Sequence, residues 1–385
     1  MHVWSDLFFA LMVPLLPIIK EDMDLSFTEV GLLRSVFNGA SGVLQIPAGF
    51  LAESVGEFWM LVWGNIWVSA GLVGMAASPI FIVLLAASAI GGLGGGAQHP
   101  LASSMVSRAY DDRGRSTAVG TVNFAGDLGK MVAPVMAGLF AVALGWRATM
   151  FIVGIAGLVF MFASMLTRRS VDIGRPVVQT AETPEGLSES ENKAQMAGFI
   201  TLSGVGVLDA AARTAALVFL PFVMDAKDMG AAQISVMLFL LFAGGAAGKF
   251  VCGWLGDRFS TVSIIWGTKG LTALMLFLSL ITPPLAMAPL MVLTGIGLNG
   301  TSSALYATVS DFVPATRRAR FYGFYYTTNE IGTVVAPLVY GLVADIFSLN
   351  TTMIVMGIAT AAILPASLTL RKHLEPKAKA DASTG

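Results

Sequence analysis

The chain has 385 residues, of which 55% are hydrophobic and only 12% are charged. Soluble domains carry about 25% charged residues, so this composition excludes an ordinary soluble protein, which could not cover its surface. The net charge of −1 gives no electrostatic support to nucleic-acid binding, and the single cysteine, Cys252, excludes an internal disulfide and a cysteine-based metal cluster.

Twelve apolar runs are long enough to cross a membrane as helices, which takes about 18 or more residues. They lie at 3–19, 30–52, 58–77, 80–107, 116–144, 148–166, 196–224, 233–256, 261–282, 285–310, 321–346 and 351–370. The sequence therefore predicts an all-α integral membrane protein with twelve transmembrane helices.

The fourth span contains a glycine run, Gly92-Leu-Gly94-Gly-Gly-Ala97, whose spacing matches a dinucleotide-binding fingerprint, and Asp111 follows about twenty residues later. No alternation of strands and helices surrounds the run, so a phosphate-binding loop lacks its context. The glycines are predicted to lie in a membrane helix, where small residues let neighbouring helices approach closely. We expect no enzymatic activity, no cofactor, no metal and no nucleic-acid partner.

The loops are not equally basic, and most of their arginines and lysines fall on the side that also holds both ends of the chain. The positive-inside rule then predicts cytoplasmic termini in a bacterial inner membrane. Residues 168–195, rich in Glu, Ser and Pro, are predicted to be a flexible cytoplasmic linker. The linker separates an N-terminal six-helix half, 1–167, from a C-terminal half, 196–370, and a cytoplasmic tail, 371–385, follows.

The two halves are related in sequence. A single offset of 203 residues carries Gly92 to Gly295, Gly129 to Gly332, Pro134 to Pro337, Asp6 to Asp209, and Asp127 to Glu330. Chance does not keep one register across so many helices. A duplicated six-helix unit is the plan of carriers whose substrate site lies between the halves, near the middle of the bilayer.

The whole chain resembles the major facilitator superfamily. The family's loop motif, which follows the second helix of each half, is matched by Gly253-Trp-Leu-Gly-Asp257-Arg258. The first half has Gly49-Phe-Leu-Ala-Glu53, which keeps the acid but lacks the usual basic residues, and the arginine usual in the fourth helix is also missing. The resemblance implies a major facilitator fold and transport by alternating access.

The fifth span is similar to the superfamily's antiporter motif, with Gly120, Gly129 and Pro134 in place and alanine at two glycine positions. Such a run gives a flat helix surface that packs tightly and that proline can bend. The eleventh span repeats Gly332 and Pro337. The pattern therefore either marks antiport or belongs to the architecture of both halves.

A narrower resemblance is to the fosmidomycin-resistance group of bacterial exporters. It implies export of a small antibiotic or a similar compound. The residues that carry it are His2-x3-Asp6, Pro14 to Pro17, Leu25-Ser-Phe-Thr28 and Gly92-x-Gly94-x4-His99-Pro100-x-Ala102-Ser103.

Ionisable residues lie within the predicted spans, where each costs about 2.5–3.5 kcal/mol at the bilayer centre. We therefore expect them to pair or to face an aqueous cavity, except that Lys249 is close enough to the cytoplasmic end to snorkel. They are the acids Asp6, Asp127, Asp209 and Glu330 and the bases Arg34, Lys130, Arg213, Lys249 and Lys269.

The four acids are the candidate proton-coupling groups, because a carboxylate in a partly apolar cavity can load and unload a proton near neutral pH. Helical spacing places Asp127 beside Lys130 and Asp209 beside Arg213, so these pairs are either structural or functional. Asp6 has His2 as its only nearby titratable partner along the chain, which makes Asp6 the leading candidate, with Asp127 next.

Polar residues on the same spans are the candidate substrate ligands, and arginine suits an anionic or phosphonate substrate because it binds bidentately. His99 either stabilises the kink before Pro100 or acts as a gate or proton relay. The full candidate set is Arg34, Asn38, His99, Asn123, Lys130, Arg213, Tyr326 and Asn329.

The sequence thus predicts a secondary active transporter, an antiporter that couples efflux of a small organic compound to protons. It is expected to act as a monomer in the lipid bilayer. Two alternatives stay open: an importer of an organic anion on the same fold, and a sensor or partner subunit that kept the fold without transport.

Overall fold

Helices account for nearly all of the residues that the computed structural model describes, which are 1–96, 98, 101–102, 112–166, 189–256, 258–313 and 318–381. A single turn of 3₁₀ helix, Pro284–Ala286, precedes one of the longer helices. The helices are α1 (His2–Asp22), α2 (Phe27–Val55), α3 (Glu57–Ala76), α4 (Phe81–Gly95), α5 (Asp112–Met165), α6 (Glu189–Asp225), α7 (Ala231–Gly256), α8 (Thr261–Ile281), α9 (Met287–Phe312), α10 (Arg318–Ile346) and α11 (Leu349–Asp381).

Helix α5 contains two of the predicted spans. Gly145 interrupts it with φ 81° and ψ 167°, a backbone conformation that a residue with a Cβ rarely adopts. The chain turns back there, so α5 consists of one arm before Gly145 and a second arm after it. With the two arms counted separately, the helices correspond one to one with the twelve predicted spans, and the predicted fold class is confirmed.

Within the described ranges, nine helices are long and apolar enough to cross a membrane, and both arms of α5 belong to one of them. Large apolar side chains such as Ile82, Leu139 and Phe250 lie exposed on the outside of the bundle. Helices keep their backbone hydrogen bonds internal, so such a surface is stable in lipid. The chain is a multi-pass membrane protein, as the composition predicts.

The sequence duplication is also a structural duplication. Gly129 of α5 lies against the backbone carbonyl of Val3 in α1, and Gly332 of α10 lies against that of Val207 in α6. A Cβ on either glycine would collide with that carbonyl. The same helix crossing is therefore built once in each half, at positions related by the sequence offset.

The glycine run of the fourth span serves helix packing. Gly92 and Gly94 lie inside α4, where Gly92 abuts the carbonyl of Phe37 in α2 and Gly94 abuts that of Gly64 in α3. Gly295 of α9 makes the corresponding contact in the second half. The prediction that these glycines belong to a helix rather than to a phosphate-binding loop is confirmed.

The two halves meet through α2 against α10, the first arm of α5 against α7, and α1 against α6. One end of the bundle holds the C-terminus of α1 and the N-terminus of α2. We call it the outer end, following the predicted orientation. At this end the Asp345 side chain of α10 caps α2, because the Phe27 N–H donates to its Oδ1 at 2.8 Å and the Thr28 N–H donates to its Oδ2 at 2.7 Å. Phe27 also packs edge-on against Phe222 of α6, with ring centroids 5.2 Å apart. The outer end is thus closed by contacts between the halves.

Replacing Asp345 with asparagine is expected to loosen this closure, because the charged cap on the positive end of α2 becomes neutral and bidentate acceptance is lost. Caps of this kind contribute about 1 kcal/mol, which is about a fivefold change in an opening equilibrium. The measurement is labelling of Phe222→Cys by a membrane-impermeant maleimide, in a Cys252→Ser background.

The control is Glu29→Gln, since Glu29 accepts from the Ser26 N–H within the same helix and touches only the local capping box. Equal labelling in the Asp345→Asn and Glu29→Gln variants would show that Asp345 does not hold the halves together.

Candidate functional site

Four charged side chains form a continuous chain across the boundary between the halves. The Lys130 Nζ lies 3.1 Å from Oδ2 of Asp6 and 3.2 Å from Oδ1 of Asp127. The Lys249 Nζ lies 2.7 Å and 2.8 Å from the two carboxylate oxygens of Asp127. Asp6, Lys130, Asp127 and Lys249, here called the bridging chain, alternate in sign and join α1, α5 and α7.

Close packing of α5 on α1 brings the first three of these residues together. Gly126 comes so near to α1 that a side chain there would collide with the Asp6 carboxylate and the His2 ring. Asp6 is only 1% exposed and Asp127 only 7%. Buried carboxylates are costly unless paired, so the two lysines are needed to keep these acids charged inside the bundle.

Two expectations about the bridging chain are corrected. The prediction that Lys249 snorkels to the cytoplasmic end is wrong, because its ammonium group instead reaches Asp127 in the other half. The prediction that Asp6 depends on His2 alone is also wrong, because α5 supplies Lys130. Helical spacing shows only the neighbours on a residue's own helix, whereas both of these partners come from other helices.

A second buried ion pair lies within the C-terminal half. The Asp209 Oδ1 of α6 and the Lys269 Nζ of α8 are 2.5 Å apart, and Lys269 is 0% exposed. In the described ranges, no ion pair within 4 Å joins Asp209 to Arg213, so the pairing predicted from helical spacing is corrected to Lys269. The pair ties α6 to α8, away from the boundary between the halves, which favours a structural role for Asp209.

Arg213 lies on α6 among tyrosines of α9 and α10. It is half-buried and interacts electrostatically with Tyr306, Asp209 and Glu330. The ring of Tyr306 lies 5.0 Å from that of Tyr326. Asn329 lies on the same face of α10, against Gly206 of α6. The predicted ligands Arg213, Tyr326 and Asn329 are therefore brought to one region.

Glu330 receives hydrogen bonds from both halves. The Gln45 Nε2 of α2 donates to Oε1 at 3.1 Å, and the Thr333 hydroxyl donates to Oε2 at 2.5 Å. Asn38 of α2 donates to the backbone carbonyl of Thr333 at 3.2 Å. Asn38 and Gln45 belong to a polar stripe on α2 that also includes Arg34 and Ser41, and these two side chains join the halves at a second place, apart from the bridging chain.

Arg34 of the same stripe turns toward its own half. Its Nη1 donates to the carbonyl of Phe9 at 3.0 Å, and its guanidinium lies 5.6 Å from the ring centroid of Phe37. The negative charge of Glu330 acts on Arg34 from across the boundary. Arg34 is therefore a cation of the N-terminal half that lies close enough to Glu330 to interact with its charge.

Several predicted residues cannot be placed in the site. His99 and Asp257 lie outside the described residues, as do residues 168–188 of the predicted linker; the side chains of Asn123 and Glu53 are also not described. Gly49 and Gly120 occupy helical positions, and Pro134 and Pro337 lie inside α5 and α10. Gly253 lies in α7, and the exposed Arg258 stacks over Trp254 at 3.8 Å.

Two apolar crevices of about 290 Å³ each lie elsewhere. One is lined by Trp63, Trp67 and Met60 among others, between α2, α3 and α4. The other is lined by Pro134 and Phe239 among others, between α5 and α7. Neither contains a charged side chain, so we place the candidate site at the bridging chain and Arg213. In the described residues, no group of three or more His, Cys, Asp or Glu side chains is arranged to hold a metal ion.

Comparisons with known proteins agree with this architecture. A model of the Major Facilitator Superfamily matches residues 2–198 and 202–385. The uncharacterized MFS-type transporter YfnC of Bacillus subtilis is 25% identical, over 96% of this chain and 92% of that protein. The fosmidomycin resistance protein of Escherichia coli is 23% identical, over 89% and 84% of the two chains. The gentisate transporter of Corynebacterium glutamicum is 26% identical, over 90% and 80%.

A solved structure has the same fold. It is a bacterial homologue of the human lysosomal transporter Spinster in an inward-facing and occupied conformation, with a TM-score of 0.81. The likeness covers 97% of this chain and 95% of that one, at 17% sequence identity.

Proposed function

This chain belongs to the major facilitator superfamily, and from that membership we propose that it exports a small organic anion in exchange for protons. The family is one of transport proteins rather than enzymes. The bridging chain carries the proposal, because it sets titratable groups of both halves against each other inside the membrane. Alternating access needs a contact of this kind, which can form and break as the halves rock about a central site.

Positive charge inside the bundle supports an anionic substrate. Lys130 and Lys249 lie where α5 meets α7, and Arg34 lies on α2, which packs against α10. Arg213 interacts electrostatically with Glu330 from within the C-terminal half. Guanidinium and ammonium groups bind carboxylates and phosphonates by charge-assisted hydrogen bonds. Fosmidomycin and gentisate, after which two relatives are named, are probes that fit this chemistry.

Asp127 is the proposed proton carrier. Its carboxylate holds the ammonium group of Lys249 through both oxygens. A proton on Asp127 removes that charge, which releases Lys249 and weakens the contact between α5 and α7. Lys130 keeps its second partner, Asp6, so the N-terminal half stays intact while the halves separate.

Export should depend on the proton gradient and on Asp127. In a bacterium lacking its own exporters, the wild-type protein is expected to lower the accumulation of radiolabelled fosmidomycin or gentisate, and an uncoupler is expected to abolish the difference. A gradient of one pH unit supports about a tenfold difference per exchanged proton. The Asp127→Asn variant is expected to lose the uncoupler-sensitive part of probe export, because asparagine cannot carry a proton.

The matched control is Asp228→Asn. Asp228 is exposed at the outer end and has φ 61°, a conformation that asparagine tolerates well, so its transport should equal that of the wild type. Retention of uncoupler-sensitive export by Asp127→Asn would exclude Asp127 as the carrier and move the role to Asp6 or Glu330.

Uptake of an organic anion with protons is the second candidate, since the same cations would serve it. The experiment separates the two directions. If the protein is an exporter, cells that express it accumulate more probe when the uncoupler collapses the proton gradient. If it is an importer, those cells accumulate less. A stably inserted wild-type protein that changes the accumulation of neither probe would instead favour a sensor or partner subunit.

The remaining predictions continue as proposals. We place the protein in a bacterial inner membrane with both termini in the cytoplasm, acting as a monomer. The loop-motif and hinge residues keep the roles that the family resemblance implies.

A further inference from the structure

Arg213 is a half-buried cation that interacts electrostatically with Asp209 and Glu330 without a close ion pair to either of these described residues. No ion pair within 4 Å to Arg213 occurs in the part of the chain that the structure describes, whereas Lys130, Lys249 and Lys269 each have one there. A half-buried guanidinium without a close carboxylate is costly, because its desolvation is not offset by a paired charge. Arginine also presents a planar fork that matches a carboxylate group.

Tyrosines concentrate around this arginine. The chain has only six tyrosines, and Tyr306, Tyr325 and Tyr326 form one aromatic cluster with centroid distances of 5.0 to 6.5 Å. The hydroxyl of Tyr325 lies against Gly206 of α6. Arg213 follows Gly206 by seven residues, about two helical turns, so both lie on one face of α6.

The cluster has a buried side and an open side. Tyr325 is 1% exposed, whereas Tyr326 is 42% exposed. The rings of Tyr306 and Tyr326 are tilted by 34° to each other. The exposed ring of Tyr326 and the Arg213 guanidinium, which acts electrostatically on Tyr326, together offer a flat apolar face and a cation.

We propose that Arg213, Tyr306 and Tyr326 form a subsite for an aromatic carboxylate, with the carboxylate on Arg213 and the ring against the two tyrosines. The inference rests on the proposed function, since it specifies which organic anion that site takes. Offset or edge-on ring contacts favour an aromatic ring over a saturated one of the same size. The subsite therefore selects by planarity as well as by charge.

Binding of two matched probes to the purified full-length protein tests the subsite. Benzoate and cyclohexanecarboxylate have the same charge and ring size, but only benzoate is planar. We expect thermal-shift titrations in detergent to give about three- to tenfold tighter binding of benzoate. Tyr326→Phe should keep this preference, and Tyr326→Leu should remove it without weakening cyclohexanecarboxylate. Arg213→Gln should weaken both probes by about 30-fold or more, while Lys372→Gln, a change at an exposed cation, leaves both unchanged.

Equal affinity for the two probes in the wild type would overturn the proposal, and so would a preference that survives in Tyr326→Leu. Failure of the proposed function would look different, because no anion would then move in the accumulation assay. The binding titration needs no transport, so it decides the subsite in either case.

Discussion

Replacing Lys269 with methionine is expected to lower the free energy of unfolding by about 3–5 kcal/mol, because it leaves the Asp209 carboxylate buried without its partner. The loss should appear as a fall of roughly 5–10 °C in the apparent melting temperature of the purified protein. The same change at the exposed Lys372 serves as the control and should leave the melting temperature unchanged.

A double variant separates loss of a pair from loss of packing. Asp209→Leu combined with Lys269→Met replaces the pair by apolar side chains, which is often neutral or stabilising. We expect the double variant to melt close to the wild type. If it melts as low as Lys269→Met alone, the ion pair contributes net stability beyond the cost of its own burial, contrary to this expectation.

Gly332→Ala is expected to destabilise the C-terminal half by about 1–3 kcal/mol, since the added methyl group collides with the backbone of α6 and must force the helices apart. The corresponding change Gly129→Ala should cost a similar amount at the α1–α5 crossing, because a Cβ meets the same kind of obstacle there. Thermal unfolding of the purified variants measures both effects.

Gly270→Ala is the matched control. Gly270 also lies inside a helix, but nothing lies within 4 Å of the position that its Cβ would occupy. Alanine is a better helix former than glycine by about 0.5–1 kcal/mol, so this variant should be unchanged or slightly more stable. If the Gly332→Ala and Gly270→Ala variants are equally stable, α6 and α10 can move apart enough to accommodate the added methyl group.

The number of helices and the duplication could be predicted from the sequence, because both depend on patterns that run along the chain. The offset that relates Gly129 to Gly332 identified a helix crossing that the structure contains twice. The energetic cost of charges within the spans also indicated that they pair or face water.

The partners themselves could not be predicted. Lys249 and Lys269 pair with acids on other helices, and which helices cross at which depth depends on packing that no periodicity encodes. The tyrosine cluster was missed for the same reason, since Tyr306 and Tyr326 belong to different helices. Of these tyrosines, the sequence indicated only Tyr326, because it lies near Asn329 and Glu330 on a polar face of its helix.

The contact of Gln45 with Glu330 and that of Lys249 with Asp127 occupy corresponding positions in the duplicated sequence. Asp127 corresponds to Glu330 at an offset of 203 residues, and Gln45 corresponds to Lys249 at an offset of 204. One copy now ends in a neutral amide and the other in an ammonium group. Two corresponding contacts thus join the halves, and of the two only the contact of Lys249 with Asp127 is an ion pair. Loss of charge at Asp127 would weaken that ion pair while the contact of Gln45 with Glu330 persists, so two boundaries related by the duplication respond differently to the same change.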